Sequence, residues 1–370
     1  MSARQVLFGR EQVSLREHSE FTQPGRQAAA GCAIVKLVIG EQNMSQQCSV
    51  VRISETGGPE VMNLVEETLP APAAGEVQIR HTAIGLNYID TYHRSGLYPL
   101  PLPNGLGLEA AGEVIAVGDG VEHLSNGDRV AYGAGPIGAY ATARNIPANR
   151  VSKLPDTISD ETAAAMMLKG MTVRYLLRQT YKVQPGDTIL FHAAAGGVGL
   201  IACQWTNALG ATVIGTVGSE EKAEIARRHG CHHTINYQQE DVAARVRELT
   251  DGKGVPVVYD GVGQTTLSAS LDSLQPYGLL VSFGNASGPI TNFDLGLLSA
   301  KGSLYITRPT LMTYVAGDED LQANTAELFE MVGSGKVTIP VHQRYALADV
   351  KQAHRDLEGR KTTGTTLLLP

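Results

Sequence analysis

Apolar residues along this chain follow two different periods. From about residue 48 to 170 they come in short runs, such as Ser49–Ser54 and Val77–His81, with turn residues punctuating the region. Gly57-Gly58-Pro59, the prolines 99, 101 and 103, and the glycines 105, 107, 112, 118, 120 and 127 supply the turns. That texture predicts a β-rich domain. After Pro155 the runs lengthen: Asp160–Tyr181 reads as a helix with apolar faces built from Met166, Met167, Met171, Leu176 and Leu177. From Thr188 to about Thr307 strands alternate with helices, which predicts a parallel α/β sheet. The tail, Leu321 to Pro370, returns to helix, strand and turn. The order predicts an α/β chain in which a doubly wound parallel-sheet domain (172–307) is inserted between two parts of a β-rich domain (44–171 and 308–370).

The first 43 residues follow neither period. They mix five basic residues (Arg4, Arg10, Arg16, Arg26, Lys36) with four acidic ones (Glu11, Glu17, Glu20, Glu41). Those acids and the lack of an apolar core argue against a targeting peptide. A disordered arm is one reading; the preferred one takes Met44 as the natural start and the leader as an upstream extension of the reading frame.

Composition narrows the function classes. With 370 residues, 43% hydrophobic and 18% charged, the chain can bury two cores. Net charge is −7, and the leader holds one more basic than acidic residue, so the remainder is more acidic still. No electrostatic footprint for nucleic acid results. No run approaches the roughly 20 apolar residues of a membrane span; the longest, Cys32–Ile39, carries Lys36 in its middle. The cysteines at 32, 48, 203 and 231 are too scattered for a zinc site or a disulfide framework. A reduced cytoplasmic compartment is the simplest expectation.

The chemistry concentrates at a glycine-rich turn. Thr188–His192 reads as a buried strand, Ala193 to Gly199 (Ala-Ala-Ala-Gly-Gly-Val-Gly) as a turn, and Leu200 to Gly210 as a helix closed by glycine. Ala194, Gly196 and Gly199 occupy the three small positions of a dinucleotide fingerprint, with Gly197 and Val198 between them. Small residues let the backbone approach a pyrophosphate, and the helix N-terminus supplies free N–H groups. Such a pattern alone is weak evidence, but a second strand, Thr212–Val217, follows directly, as the fingerprint requires. An enzyme using NAD places an acid at the end of that strand. Here Gly218 and Ser219 stand there, followed by Glu220, Glu221 and Lys222. Loss of the acid, with Ser219 and Lys222 gained, favours the 2′-phosphate of NADPH, although a lone lysine can equally be a solvated one.

These residues carry a likeness. The turn at His192–Gly199, with Gly85 to Tyr92 (Gly-Leu-Asn-Tyr-Ile-Asp-Thr-Tyr), Arg94 to Tyr98, Leu168 to Val173 and Val281 to Asn285, resembles the NADPH:quinone oxidoreductases. This is the zinc-independent, zeta-crystallin-like branch of the medium-chain dehydrogenase/reductase superfamily, and the likeness is closest to its bacterial members. It covers about residues 47 to 370. It implies a GroES-like β-rich catalytic domain, a Rossmann domain, NADPH in the cleft between them and a homodimer. Ser303–Thr307 is a candidate edge strand for that dimer, with an interior place equally open. Zinc-dependent relatives carry a Cys ligand where Asn87 stands and a His ligand where Leu108 stands; an amide and a leucine cannot replace them, so no metal is expected. For His192, His232 and His233 a structural role is expected.

Without a Lewis acid, an acceptor that takes hydride readily is favoured, and a quinone becomes aromatic on doing so. The resemblance places Asn87, Asp90, Tyr92 and Tyr98 on the nicotinamide side. Asn87, Tyr92 and Tyr98 are the catalytic candidates, since each can stack on a ring or donate to a developing oxyanion; for both tyrosines, simple core packing is an even alternative. Asp90 is assigned to the cofactor side, orienting neighbours. Thr172 is expected to line the cofactor, Tyr237 to flank its adenosine, and Val262, Phe283, Gly284 and Asn285 to follow its path after apolar strands. Asp260 opens the first of those turns and can equally be a turn cap. Arg360 is expected to return to the cleft. Two rivals stay open: an NADPH-dependent enone, alkenal or enoyl-thioester reductase, and a crystallin-like structural or single-stranded RNA-binding protein. The last is disfavoured by the acidic balance, 5% aromatic residues and a single Trp.

Overall fold

A computed structural model describes residues 45–370. The leader, the start at Met44 and the run Cys32–Ile39 lie outside the described residues.

Six short strands carry the β-branched runs of the central region: Thr188–Phe191, Thr212–Val217, His233–Asn236, Val255–Asp260, Leu274–Ser282 and Tyr305–Thr307. All pair in parallel. Numbered by their place in the chain, they lie side by side as 3-2-1-4-5-6. This is the doubly wound Rossmann order, with helices on both faces, so Ile189, Leu190 and Phe191 are all buried in succession rather than alternately. The order reverses between the first and fourth strands, which opens a crevice at their carboxyl ends. The run Ser303–Thr307, open between edge and interior in the sequence, supplies the edge strand Tyr305–Thr307.

The β-rich parts meet around the long strand Glu76–Leu86. It pairs antiparallel with Glu109–Val117, with Ala143–Pro147 and with the C-terminal strand Thr365–Leu369. The last pairing is why the tail reverts to strand: it completes a sheet begun 280 residues earlier. A smaller sheet joins Gln46–Ile53 to Asn63–Leu69 and Asn104–Gly105.

Helix Asp160–Tyr175 connects the two sheets' cores. The Ser159 hydroxyl caps it by accepting the Thr162 N–H at 3.2 Å. Ala163 to Met167, Met171 and Val173 are buried around its whole circumference, as befits a helix enclosed by protein. The α-helical part ends at Tyr175, short of the predicted Tyr181, and a wider π-type turn over Leu176–Thr180 follows. No helix among the described residues is long and apolar enough to cross a membrane.

Candidate active site

The glycine-rich turn leaves the first central strand at its carboxyl end. His192 donates its amide to Tyr259 O at 3.0 Å, and Ala193 then takes a left-handed backbone with φ 56°. Gly196 caps a helix that runs Gly197–Ala208, three residues earlier than the predicted start at Leu200. The amides of Gly197, Val198 and Gly199, the first turn, have no helical carbonyl to donate to, and these three residues line an open cleft. A Cβ on Gly199 would lie 2.5 Å from Ala193 O and 2.7 Å from Ala194 Cα, so the turn closes only around glycine. Ala194 does not face the cleft. It is fully buried, donates its amide to Thr216 O, and packs where a Cβ on Gly215 would lie 2.5 Å from its own.

His192 has a structural role. Its ring bridges the hydroxyls of Thr216 and Ser270, each at 3.0 Å, and Ser270 donates onward to Asp260 at 2.7 Å. Burial lowers its pKa, so the ring sits neutral beneath the turn. Asp260 caps the next turn, accepting the amides of Val262 and Gly263 at 2.8 and 3.0 Å.

The cleft has two halves of about 600 and 620 Å³ that share His192, Gly196, Val262 and Thr362 as walls. One half is lined by Gly218, Lys222, Tyr237 and Arg360. There Lys222 Nζ donates to Arg360 O at 2.9 Å. Burial, and then the Arg360 guanidinium, pull the Lys222 pKa down from its ordinary value. Two cations side by side can seat an anion, and Glu240 and Asp241 line the same half. Ser219 stands just outside this half, capping helix Glu220–Arg228 by accepting the Lys222 N–H at 3.3 Å.

The other half is walled by Asn87, Tyr92, Tyr98, Thr172, Phe283 and Gly284. The Tyr92 hydroxyl accepts the Asn285 N–H at 2.9 Å, and Asn285 Nδ2 donates to the Tyr98 hydroxyl at 3.1 Å. Asn285 therefore stands behind the tyrosines and ties them to the Rossmann sheet. Burial pushes the Tyr92 phenol well above its usual range. Asp90 is a correction: it is wholly buried and away from the cleft, accepting the Asn87 N–H at 2.9 Å and the Tyr140 hydroxyl at 2.7 Å. It fixes the N-terminus of helix Tyr88–Ser95, as the orienting role required, but touches no cofactor space. Burial raises its pKa to about 7. Asn87 is also corrected in part. Its Nδ2 donates to Glu109 Oε2 at 2.7 Å and to Gly85 O at 3.3 Å, so its protons serve the protein rather than an acceptor.

Three residues escaped the sequence reading. Glu109 is fully buried, and Lys169 pairs with it at 3.1 Å while lining the cleft. Lys169 sat inside the Leu168 to Val173 motif, and the signal was available: a lone lysine in an otherwise apolar helix needs a partner. Arg308 donates to the Tyr98 hydroxyl at 2.8 Å and to Ser282 O at 2.8 Å. Nothing local marks it, since it simply follows the edge strand. Among the described residues no group of three or more His, Cys, Asp or Glu could hold a metal.

With this geometry in place, comparison adds ancestry. Residues 73–156 match the alcohol dehydrogenase GroES-like domain, and 197–331 match the model described as zinc-binding dehydrogenase. The chain is 57% identical over 321 residues to a quinone oxidoreductase of Pseudomonas aeruginosa, covering 86% of this chain and 99% of that one. It is 46% identical over 329 residues to a 2-haloacrylate reductase of a Burkholderia species, covering 86% and 98%. The crystal structure of Escherichia coli quinone oxidoreductase complexed with NADPH superposes with a TM-score of 0.86 at 52% identity, covering 87% of this chain and all of that one.

Proposed function

The chain belongs to the quinone oxidoreductase family of the medium-chain dehydrogenase/reductase superfamily, and from that premise we propose that it reduces quinones with NADPH by hydride transfer and without zinc. The observation that carries this is the continuous cleft, with free helix amides at its middle, paired cations at one end and tyrosines at the other.

The residues fit the cofactor. The amides of Gly197, Val198 and Gly199 would take the pyrophosphate. Lys222 and Arg360 would take the 2′-phosphate, with Gly218 and Ser219 shaping that bend. A Cβ on Gly218 would lie 2.6 Å from the Tyr237 hydroxyl, so glycine there lets Tyr237 flank the adenosine. Thr172, Val262, Phe283 and Gly284 would wall the nicotinamide half. When bound, NADPH supplies the hydride. The protein's own part is to hold the acceptor flat against the tyrosine faces and exclude water. Tyr92 and Tyr98, held by Asn285 and Arg308, are placed for this. Asn87 and Asp90 position them from behind.

The zinc-free reading is supported by donor chemistry. Asn87 is committed to Glu109, and Leu108 offers no lone pair, so the two positions hold no zinc ligand. We also propose the domain division 44–171, 172–307 and 308–370, and a homodimer through the edge strand Tyr305–Thr307. The exposed Tyr277 (72%), Tyr305 (61%) and Leu295 (71%) beside that edge support the dimer. A cytoplasmic setting is supported by Cys48, Cys203 and Cys231, all unpaired. We assign no membrane or nucleic-acid partner.

A second reading, reduction of a conjugated carbon–carbon double bond, is favoured by the likeness to 2-haloacrylate reductase. Steady-state assays with NADPH and NADH against 1,4-benzoquinone, 1,4-naphthoquinone and 2-chloroacrylate separate the two. Quinone turnover with NADPH preferred is expected. Turnover of 2-chloroacrylate without any quinone turnover would replace the first reading by the second.

A further inference from the structure

The cleft contains a charged group that the reading above does not use. Lys169 lies on helix Asp160–Tyr175, a segment buried on all sides, and its side chain is 7% exposed. Its stem runs along the first residue of the pyrophosphate helix: a Cβ on Gly197 would lie 2.9 Å from Lys169 Cδ and 3.0 Å from Cε. The ammonium is thereby led to the nicotinamide half of the cleft, whose wall it shares with Asn87, Leu108 and Thr172.

Glu109 balances its charge and leaves its donors free. The carboxylate, with no exposed surface, accepts Leu168 N–H at 2.8 Å through Oε1, and Asn87 Nδ2 at 2.7 Å and Lys169 Nζ at 3.1 Å through Oε2. Both its oxygens are occupied. Lys169 has three protons and gives one to Glu109; the other two have no protein acceptor among the described residues. A buried ion pair held only for packing is a poor source of stability, because desolvation offsets its attraction. A buried ammonium with spare protons beside an open cleft is instead suited to meeting negative charge that develops there.

We propose that Lys169 is a catalytic residue whose ammonium donates to the quinone oxygen that becomes anionic on hydride transfer, with Glu109 and Asn87 as its positioning residues. The proposal rests on the quinone reading. The acceptor gains two electrons and one proton as hydride and becomes the hydroquinone monoanion. Lys169 stays protonated and stabilises that anion, and water supplies the second proton. The ion pair thus provides, with fixed charge, the polarisation that a metal would give.

Removing Lys169 alone strands Glu109, so the test uses the double variant Lys169→Met/Glu109→Gln, which removes both charges, beside Lys169→Arg, which keeps the cation. With naphthoquinone and NADPH, the double variant is expected to lose kcat by roughly 100-fold or more, while the KM for NADPH changes much less. Lys169→Arg should recover part of the loss. The second readout needs no turnover. 4-Nitrophenol added to NADP+-saturated protein reports its ionisation by absorbance, and an ammonium within reach should favour the bound phenolate by roughly tenfold or more over the double variant. A kcat within threefold of wild type in the folded double variant overturns the proposal. So does a bound nitrophenol that ionises equally in both proteins. A wild-type protein that ionises the probe but turns over no quinone would overturn the quinone reading and still support Lys169 as the anion donor of the cleft.

Discussion

The Tyr92 hydroxyl accepts the main-chain N–H of Asn285 at 2.9 Å, joining two residues 193 positions apart. One belongs to the first helix of the β-rich domain, Tyr88–Ser95, and the other to the loop after the fifth strand of the Rossmann sheet. The bond closes one side of the cleft, so its loss should loosen the seat of the acceptor. Tyr92→Phe leaves the Asn285 N–H without its partner, which costs about 1 kcal/mol, or roughly fivefold in the KM for quinone. Because burial holds the phenol well above its usual range, it does not titrate near neutrality. The pH dependence of kcat should therefore be the same in wild type and variant. A pH profile altered by the substitution would return Tyr92 to a proton-transfer role.

At the far end of the cleft, Lys222 and Arg360 lie together and their like charges repel. A dianionic 2′-phosphate would relieve that repulsion; a ribose hydroxyl would not. Lys222→Ala should raise the KM for NADPH by about tenfold or more through loss of a charge-assisted bond, and that for NADH by little. Equal changes for both cofactors would remove the lysine from the 2′-phosphate site.

Much of this was legible in the chain, and the failures have physical reasons. Thr212–Val217 appears as a strand with the predicted ends because β-branched residues fill every position but Gly215 between two glycine turns. The fingerprint and the apolar strands marked both walls of the crevice, since those depend on local backbone geometry. Asp90 and Asn87 were assigned outward roles because their residue types suit chemistry, whereas their partners, Tyr140 and Glu109, come from strands and loops distant in sequence. Arg308 was invisible for the same reason. Ala194 has the fingerprint's spacing but spends its small size on packing against Gly215 rather than on the cofactor. Spacing records how close a backbone can come, not which side the close approach faces.

Gly199 tests the turn itself. A methyl there meets two backbone groups, Ala193 O at 2.5 Å and Ala194 Cα at 2.7 Å, neither of which can rotate away. Gly196→Ala, by contrast, meets only Ala193 O at 3.2 Å. Gly199→Ala should destabilise the protein by roughly 1–3 kcal/mol and weaken NADPH binding, because the amides that face the cleft shift with the turn. Thermal melts with and without NADPH check both parts. Equal melting temperatures and equal stabilisation by NADPH in wild type and Gly199→Ala would mean that the turn has room it is not seen to have.

Two buried groups give the stability of this protein a pH dependence of opposite signs. His81 is enclosed, donating through Nδ1 to Ala141 O at 2.7 Å and accepting the Tyr132 hydroxyl at Nε2 at 2.9 Å. Burial lowers its pKa to about 4 from an unfolded value of 6.5. Between those values the unfolded chain binds the proton and the folded one does not, so stability is full above 6.5 and falls as the pH drops toward 4. Asp90 behaves in reverse. Burial raises it to about 7 from 3.8, and one of its oxygens, Oδ1, has no partner. Here the folded state holds the proton across the window, so stability falls as the pH rises from 4 to 7. The shifts correspond at most to about 3 kcal/mol for His81 and about 4 kcal/mol for Asp90. His81→Gln should flatten the acid-side loss of melting temperature between pH 6.5 and 4, whatever it does to stability at pH 8. Asp90→Asn should do the opposite, removing a penalty at pH 8 that is absent at pH 4. Parallel melting curves against pH for wild type and both variants would show that neither group carries its charge change into folding.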